Sequence, residues 1–192
     1  MKRAIGRAEA LACSIPAERP FELAEVYRKL LAAQRTLFHG DPPPTKTIPL
    51  LTKLSALYER IGDIENAERT YEHLLSQLEA SGYEDGELNV VVSTLRRLYQ
   101  LSAGEISEMA EKMNIVGDTA TCKHTALHRA VGRQNHRVVQ HILDSGAETN
   151  AKGIWQKTAL HMAVEKCAPP SGTSGLSNCT LNSLNLHSHA AI

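Results

Sequence analysis

The amino-acid sequence predicts an all-α fold, a helical-hairpin solenoid in which pairs of antiparallel helices repeat along the chain. Three observations support this prediction. The heptapeptide TALHRAV at 125–131 returns as TALHMAV at 158–164, an offset of 33 residues. A second apolar pattern returns after 41 residues. Aromatic residues make up only 4% of the chain, so Leu, Val and Ala must supply most of the core.

Charge and hydropathy exclude several classes of partner. Lys plus Arg equals Asp plus Glu at 21 each, so the chain has no long-range field that would attract nucleic acid or an anionic membrane. No stretch approaches 18 consecutive apolar residues, the length that a membrane-spanning helix needs. We therefore expect neither a nucleic-acid partner nor a membrane partner.

Cysteine usage and the N-terminal segment, residues 1–20, indicate the compartment. The four cysteines show no paired CxxC spacing, and Arg7 and Glu9 interrupt the apolar residues that a secretion signal would need. We expect reduced thiols in a cytoplasmic protein, with the nucleus as the other possibility.

The 41-residue repeat predicts two equivalent amphipathic helices. Residues spaced in this way form one apolar stripe of about three helical turns. The equivalent residues are Leu50, Leu51, Leu54, Leu57 and Tyr58 in the first copy, and Val91, Val92, Leu95, Leu98 and Tyr99 in the second.

Local signals around the first copy predict a helical hairpin. Thr47 and Pro49 suit the start of its first helix and Gly62 suits its end, after which Asp63 can cap a second helix. Residues 21–31 read as the second helix of an earlier, incomplete unit. Gly104 is interpreted as the turn of a second hairpin, which continues to Met113.

This region resembles the tetratricopeptide repeats, in the longer form found in kinesin light chains. The matching residues are Leu51, Leu54, Ser55, Tyr58, Gly62, Ala67 and Tyr71. The resemblance implies that residues 21–113 form tetratricopeptide-like helical repeats. Leu74 departs from it, because the family has a small residue there.

The 33-residue repeat resembles the ankyrin repeat, whose signature is T-P-L-H. Further matches are Ala130, Val138, Val139, Ile142, Leu143, Gly146, Ala147 and Asn150. We predict that Thr125 caps a short helix, that Asn135 closes it, and that Gly146 ends the returning helix. Residues 148–157 are predicted to form a β-hairpin finger.

The ankyrin-like region is predicted to span residues 114–167, one repeat and a half. Ala126 and Ala159 replace the proline of the signature. After Cys167 the chain carries no Asp, Glu, Lys or Arg and is rich in Pro, Gly, Ser and Asn. Residues 168–192 are therefore predicted to be a disordered tail.

Catalytic motifs such as GxSxG, HExxH, GxxxxGK[ST] and GxGxxG are absent from the sequence, which indicates a protein that is not an enzyme and needs no cofactor. Cys122, His124 and His128 lie close together, but they lack the regular spacing of a zinc site. The resemblance instead implies that His128 and His161 hydrogen-bond neighbouring backbone. We predict no metal site, and a zinc-binding regulator is kept as an alternative.

We predict a non-catalytic scaffold or adaptor that binds an unidentified protein or peptide, because both resembled families do so. The ligand-sensing repeat region of a larger, truncated receptor is another alternative. Trp155, the only tryptophan, is either a binding anchor or packed against a neighbouring finger. The candidate protein-binding residues that the ankyrin register gives are Thr121, Cys122, His124, Gly132, Arg133, Ile154, Trp155, Lys157, Glu165 and Lys166. The tetratricopeptide register adds Thr52, Ala56, Glu59, Ser93 and Arg97.

Overall fold

The computed structural model describes residue 15 and residues 19–38, 42–112 and 124–167, with the side chains of 110–112 and 167 excepted. These residues form seven α-helices and one short 3-10 helix. The chain divides into two compact units, residues 1–91 and 92–192. The helices are α1 Pro20–Phe38, α2 Pro44–Ile61, α3 Ile64–Ala80, α4 Asp85–Lys112, α5 Ala126–Gly132, α6 His136–Asp144 and α7 Ala159–Cys167.

Helix α2 begins earlier than predicted. Pro43 stands at the N-cap and Pro44 at the first helical position, so Pro49 lies inside the helix rather than at its start. A proline at the first position loses no hydrogen bond, because that amide has no partner within the helix. Thr47 is buried and its hydroxyl donates to the carbonyl oxygens of Pro43 and Pro44 at 3.4 and 3.3 Å.

The predicted turn between α2 and α3 is confirmed. Gly62 adopts the left-handed conformation with φ of 80°, and its amide donates to the carbonyl oxygen of Glu59. The Asp63 carboxylate then accepts the backbone N–H of Asn66 at 3.1 Å, which caps α3. The two helices pack against each other, and α2 also packs against α1.

The apolar positions of the 41-residue repeat are buried in both copies, except for Tyr58, which is half-buried. In the first copy, Leu54 and Leu57 form a core cluster with Ala24 of α1. In the second copy, Leu95 and Tyr99 are fully buried. The predicted stripe of α1 is right for Ala24 and Leu30 but wrong for Phe21, which is 70% exposed in the first turn of that helix.

Helix α4 runs through Gly104 without a turn, so the second helical hairpin predicted there is wrong. Its 28 residues form one helix. The Ser102 hydroxyl donates to the Tyr99 carbonyl and the Ser107 hydroxyl to the Ala103 carbonyl, so both serines bond backward along a continuous helix. A single glycine costs an exposed helix only about 1 kcal/mol, which is not enough to end one this long.

The predicted cap and closure of α5 and α6 are confirmed. Thr125 precedes α5 with extended backbone. Asn135 has two roles: its amide donates to the Ala130 carbonyl at 3.1 Å, which closes α5, and its side chain accepts from the Val138 amide, which caps α6. Gly146, with φ of 75°, follows the end of α6.

A loop with a 3-10 turn stands where the sequence predicted a β-hairpin finger. Residues 148–157 are all described and form no strand. One backbone hydrogen bond, from the Gly153 amide to the Lys157 carbonyl at 2.8 Å, closes the loop around Ile154–Gln156. A single such bond is too short a ladder for paired strands. We call residues 152–157 the Trp155 loop.

Candidate protein-binding site

Trp155 lies at the tip of its loop with 71% of its surface exposed. Its backbone has φ of 63° and ψ of 22°, and the φ of the next residue, Gln156, is 57°. Two consecutive positive φ angles define the tight turn in which Asn-Gly is the usual pair, and a bulky side chain there carries steric cost. The loop therefore presents an indole to solvent from a strained backbone.

The loop is attached to α7 by an ion pair. The Lys157 ammonium contacts the Glu165 carboxylate, and both side chains remain partly exposed, at 37% and 57%. Because these two residues are both in the predicted binding set, the structure brings together two positions that are eight residues apart in the chain. An exposed pair of this kind contributes less than about 1 kcal/mol to stability, so it orients the loop more than it stabilises the fold.

His128 joins the same loop to α5. Its Nδ1 atom accepts the Thr125 amide at 3.2 Å, so its Nε2 atom carries the proton and donates to the Lys157 carbonyl at 3.1 Å. Burial lowers the pKa of His128, while the bond to the Lys157 carbonyl raises it. The backbone hydrogen bonds expected of His128 are confirmed. His161, its counterpart in the second copy, is exposed, and its Nδ1 accepts the Thr158 amide at 3.3 Å.

His124 packs beside His128 with 4.9 Å between the ring centroids. Its backbone amide donates to the Ser107 hydroxyl of α4, while its Nδ1 atom is buried without a hydrogen-bond partner. Burial, together with the nearby His128 and Arg129, lowers the pKa of His124 to about 4. The low pKa keeps the half-buried His124 ring neutral at pH 7, and its predicted role in protein binding stays a prediction.

Gly153 shows why the loop can approach these rings. A Cβ at this position would lie 2.9 Å from His124 Nδ1 and 3.0 Å from two ring atoms of His128. A side chain at this position would force the two rings to shift, so glycine allows the loop backbone to approach them closely. Sequence reasoning missed Gly153 and the Ser107 hydroxyl, because their roles depend on contacts between distant segments.

The remaining predicted positions fall into three groups. Gly132, Arg133 and Ile154 are half-buried, and Lys166 is exposed. Thr121 and Cys122 lie outside the described residues. In the tetratricopeptide register, Glu59 accepts a hydrogen bond from the Tyr71 hydroxyl at 2.6 Å, and the other four positions, Thr52, Ala56, Ser93 and Arg97, are exposed on α2 or α4.

The segment that contains α5 and α6 is similar to a known protein family. Residues 122–154 match the ankyrin repeat. The match covers α5, α6 and the start of the Trp155 loop, and ankyrin repeats are typically protein-interaction modules. No curated protein and no solved structure matches the chain.

Two further properties concern only the part of the chain that the structure describes. No helix there is both long and apolar enough to cross a membrane. Nor does any cluster of three His, Cys, Asp or Glu side chains there have the arrangement of a metal site.

Proposed function

We propose that the chain is a non-catalytic interaction module whose ankyrin repeat binds a protein or peptide through the Trp155 loop. The observation that carries this proposal is the 71% exposure of the only tryptophan, at the tip of a loop fixed from both sides. Tryptophan is enriched among residues that dominate binding energy at protein interfaces.

Preorganisation supports the same assignment. The loop is fixed by the His128 bond to the Lys157 carbonyl and by the ion pair between Lys157 and Glu165. A side chain presented by a fixed loop loses less conformational entropy on binding than one presented by a free segment. Trp155 is therefore the anchor of the proposed surface, and Lys157, Glu165 and Lys166 are its polar rim.

The first unit supplies a second, subsidiary element of the proposal. The α2–α3 hairpin, with its left-handed Gly62 and its buried Ser55 and Ala67, supports a tetratricopeptide-like unit. We propose that it acts with the ankyrin repeat in a scaffold or adaptor of the cytoplasm or nucleus. Its exposed inner positions, such as Thr52 and Ala56, would then contact the partner.

The test compares two exposed aromatic residues. Proteins retained from a cell extract by the wild-type chain are compared with those retained by Trp155→Ala and by the control Phe21→Ala, which removes a side chain of 70% exposure outside the repeat. We expect Trp155→Ala to weaken binding of a recovered partner about 30-fold or more, corresponding to about 2 kcal/mol, and Phe21→Ala to leave it unchanged.

Fluorescence provides the direct readout, because Trp155 is the only tryptophan of the chain. A recovered partner that binds this loop should shield the indole from a collisional quencher. Binding that survives Trp155→Ala, with no change in quenching, contradicts the proposal.

A further inference from the structure

We propose that His124 and His128 form an acid-sensitive latch that holds the Trp155 loop against the ankyrin repeat while both rings are neutral. The latch consists of these two rings, the backbone of Gly153 and the carbonyl of Lys157. The inference concerns the position of the loop and holds whether or not Trp155 binds a partner.

The first argument is the contact between the loop and the two rings. The Gly153 backbone lies so close to both imidazoles that a Cβ would be only 2.9–3.0 Å from their atoms. The backbone of His124 is held beside the loop, because its amide donates to the Ser107 hydroxyl of α4 at 3.1 Å. A change at either ring is therefore transmitted directly to the loop backbone.

The second argument is that the hydrogen bonds require neutral rings. His128 uses one nitrogen as an acceptor, from the Thr125 amide, and the other as a donor, to the Lys157 carbonyl. A second proton on Nδ1 could be accepted only by the Thr125 hydroxyl oxygen, 2.9 Å away, and the Thr125 N–H at the start of α5 would lose its acceptor. His124 Nδ1 is buried without a partner, and a proton added there would find no acceptor.

The third argument is the charge around the pair. The α5 helix contributes Arg129, whose positive charge opposes protonation of His124. The contact from α4 is the neutral Ser107 hydroxyl. On the loop side, the Lys157 ammonium is engaged by Glu165 of α7. Protonating either histidine therefore adds a cation next to another cation or to a second imidazole.

These three features make loop release the route to proton uptake. A histidine exposed to water takes up a proton near pH 6.5, whereas burial holds the pKa of His124 at about 4. Between pH 6.5 and pH 4, the His124 ring therefore binds a proton favourably only after it leaves its buried position and becomes hydrated. Within the described residues, the backbone of the Trp155 loop closely approaches both rings at Gly153, so displacement of this loop is the expected response.

Trp155 also reports the motion, because it is the only tryptophan and lies two residues from Gly153. The experiment follows its fluorescence anisotropy in the full chain from pH 7.5 to pH 4.5, with helix content measured in parallel. We expect the anisotropy to fall as the pH drops below about 6, before helix content is lost. His124→Leu, which cannot be protonated, should move this transition down by about one pH unit or more.

Two further variants make the test specific. His141→Leu removes a histidine of α6 and should leave the transition in place. Gly153→Ala places a methyl group against both rings and should lower the anisotropy already at pH 7.5, with little further change on acidification. The latch is refuted if the anisotropy stays constant until the helices melt, or if wild type and His124→Leu respond at the same pH.

Discussion

Leu127 and Leu160 occupy the same position in the two copies of the repeated heptapeptide, yet Leu127 is 4% exposed and Leu160 is 43% exposed. Their helices differ in what covers them. Helix α5 packs against both α6 and α7, so its copy of the heptapeptide is enclosed. Leucine at the same repeat position therefore contributes differently to stability in α5 and in α7.

This relationship predicts unequal costs for the same substitution. Leu127→Ala should destabilise the protein by about 2–5 kcal/mol, because it removes a buried side chain and leaves a cavity. Leu160→Ala should cost about 1 kcal/mol or less, because much of its surface is already hydrated. Urea unfolding of the two variants checks the prediction, and equal costs would show that the Leu160 face is covered in solution.

A second prediction uses the glycines to distinguish a helix from a turn. Gly104 lies inside α4 with open space around its Cβ position, so Gly104→Ala should stabilise the protein by about 0.5–1 kcal/mol. Gly62 has φ of 80°, so Gly62→Ala should cost about 1–2 kcal/mol. Thermal unfolding of both variants shows whether each substitution raises or lowers the melting temperature. A destabilising Gly104→Ala would restore the turn that the sequence suggested.

The sequence predicted best where a feature is local. Gly62 and Asp63 lie next to each other at a helix junction, and their conformations follow from adjacent residues alone. Thr125 and Gly146 are also parts of short motifs with a fixed geometry. Each of these signals was interpreted correctly because a cap or a left-handed residue needs no information about distant segments.

The sequence failed where a weak local signal competes with tertiary packing. Glycine is common in turns, which is why Gly104 was expected to end a helix. The neighbouring Ser102 and Ala103 are buried, and their packing keeps the helix continuous. Phe21 has the spacing of a core residue, but it lies in the first turn of α1 and is exposed. The contact of Gly153 with His124 joins residues 29 apart, and no pattern along the chain encodes it.

A third prediction concerns residues that precede the ankyrin repeat. Within the second compact unit, Arg96 of α4 donates to the Ser145 hydroxyl at 2.9 Å, and Ser107 accepts the His124 amide. A fragment of residues 114–192 lacks this helix and should show little helix and fast amide exchange over 127–143. In the whole chain the same amides should be protected, and adding residues 92–113 to the fragment should restore much of that protection. Cooperative unfolding of the short fragment would contradict this dependence on α4.

The last prediction is the pH dependence of global stability. The folded-state pKa of His124 is about 4 and that of His128 is also lowered, whereas both titrate near 6.5 in the unfolded chain. The unfolded state therefore binds more protons than the folded state between these values. The contribution of the two histidines to the free energy of unfolding is fully present above about pH 7 and is lost as the pH falls towards 4.

The expected slope is at most about 1.4 kcal/mol per pH unit for each histidine, and less for His124 because part of its ring stays hydrated. Carboxylates titrate mainly below pH 5, so urea unfolding at pH 7.5, 6.5 and 5.5 isolates the histidine contribution. His124→Leu should reduce the slope in this window, while His141→Leu should not. If stability is flat from pH 7.5 to 5.5, or if His124→Leu leaves the slope unchanged, burial of this imidazole does not couple folding to protonation.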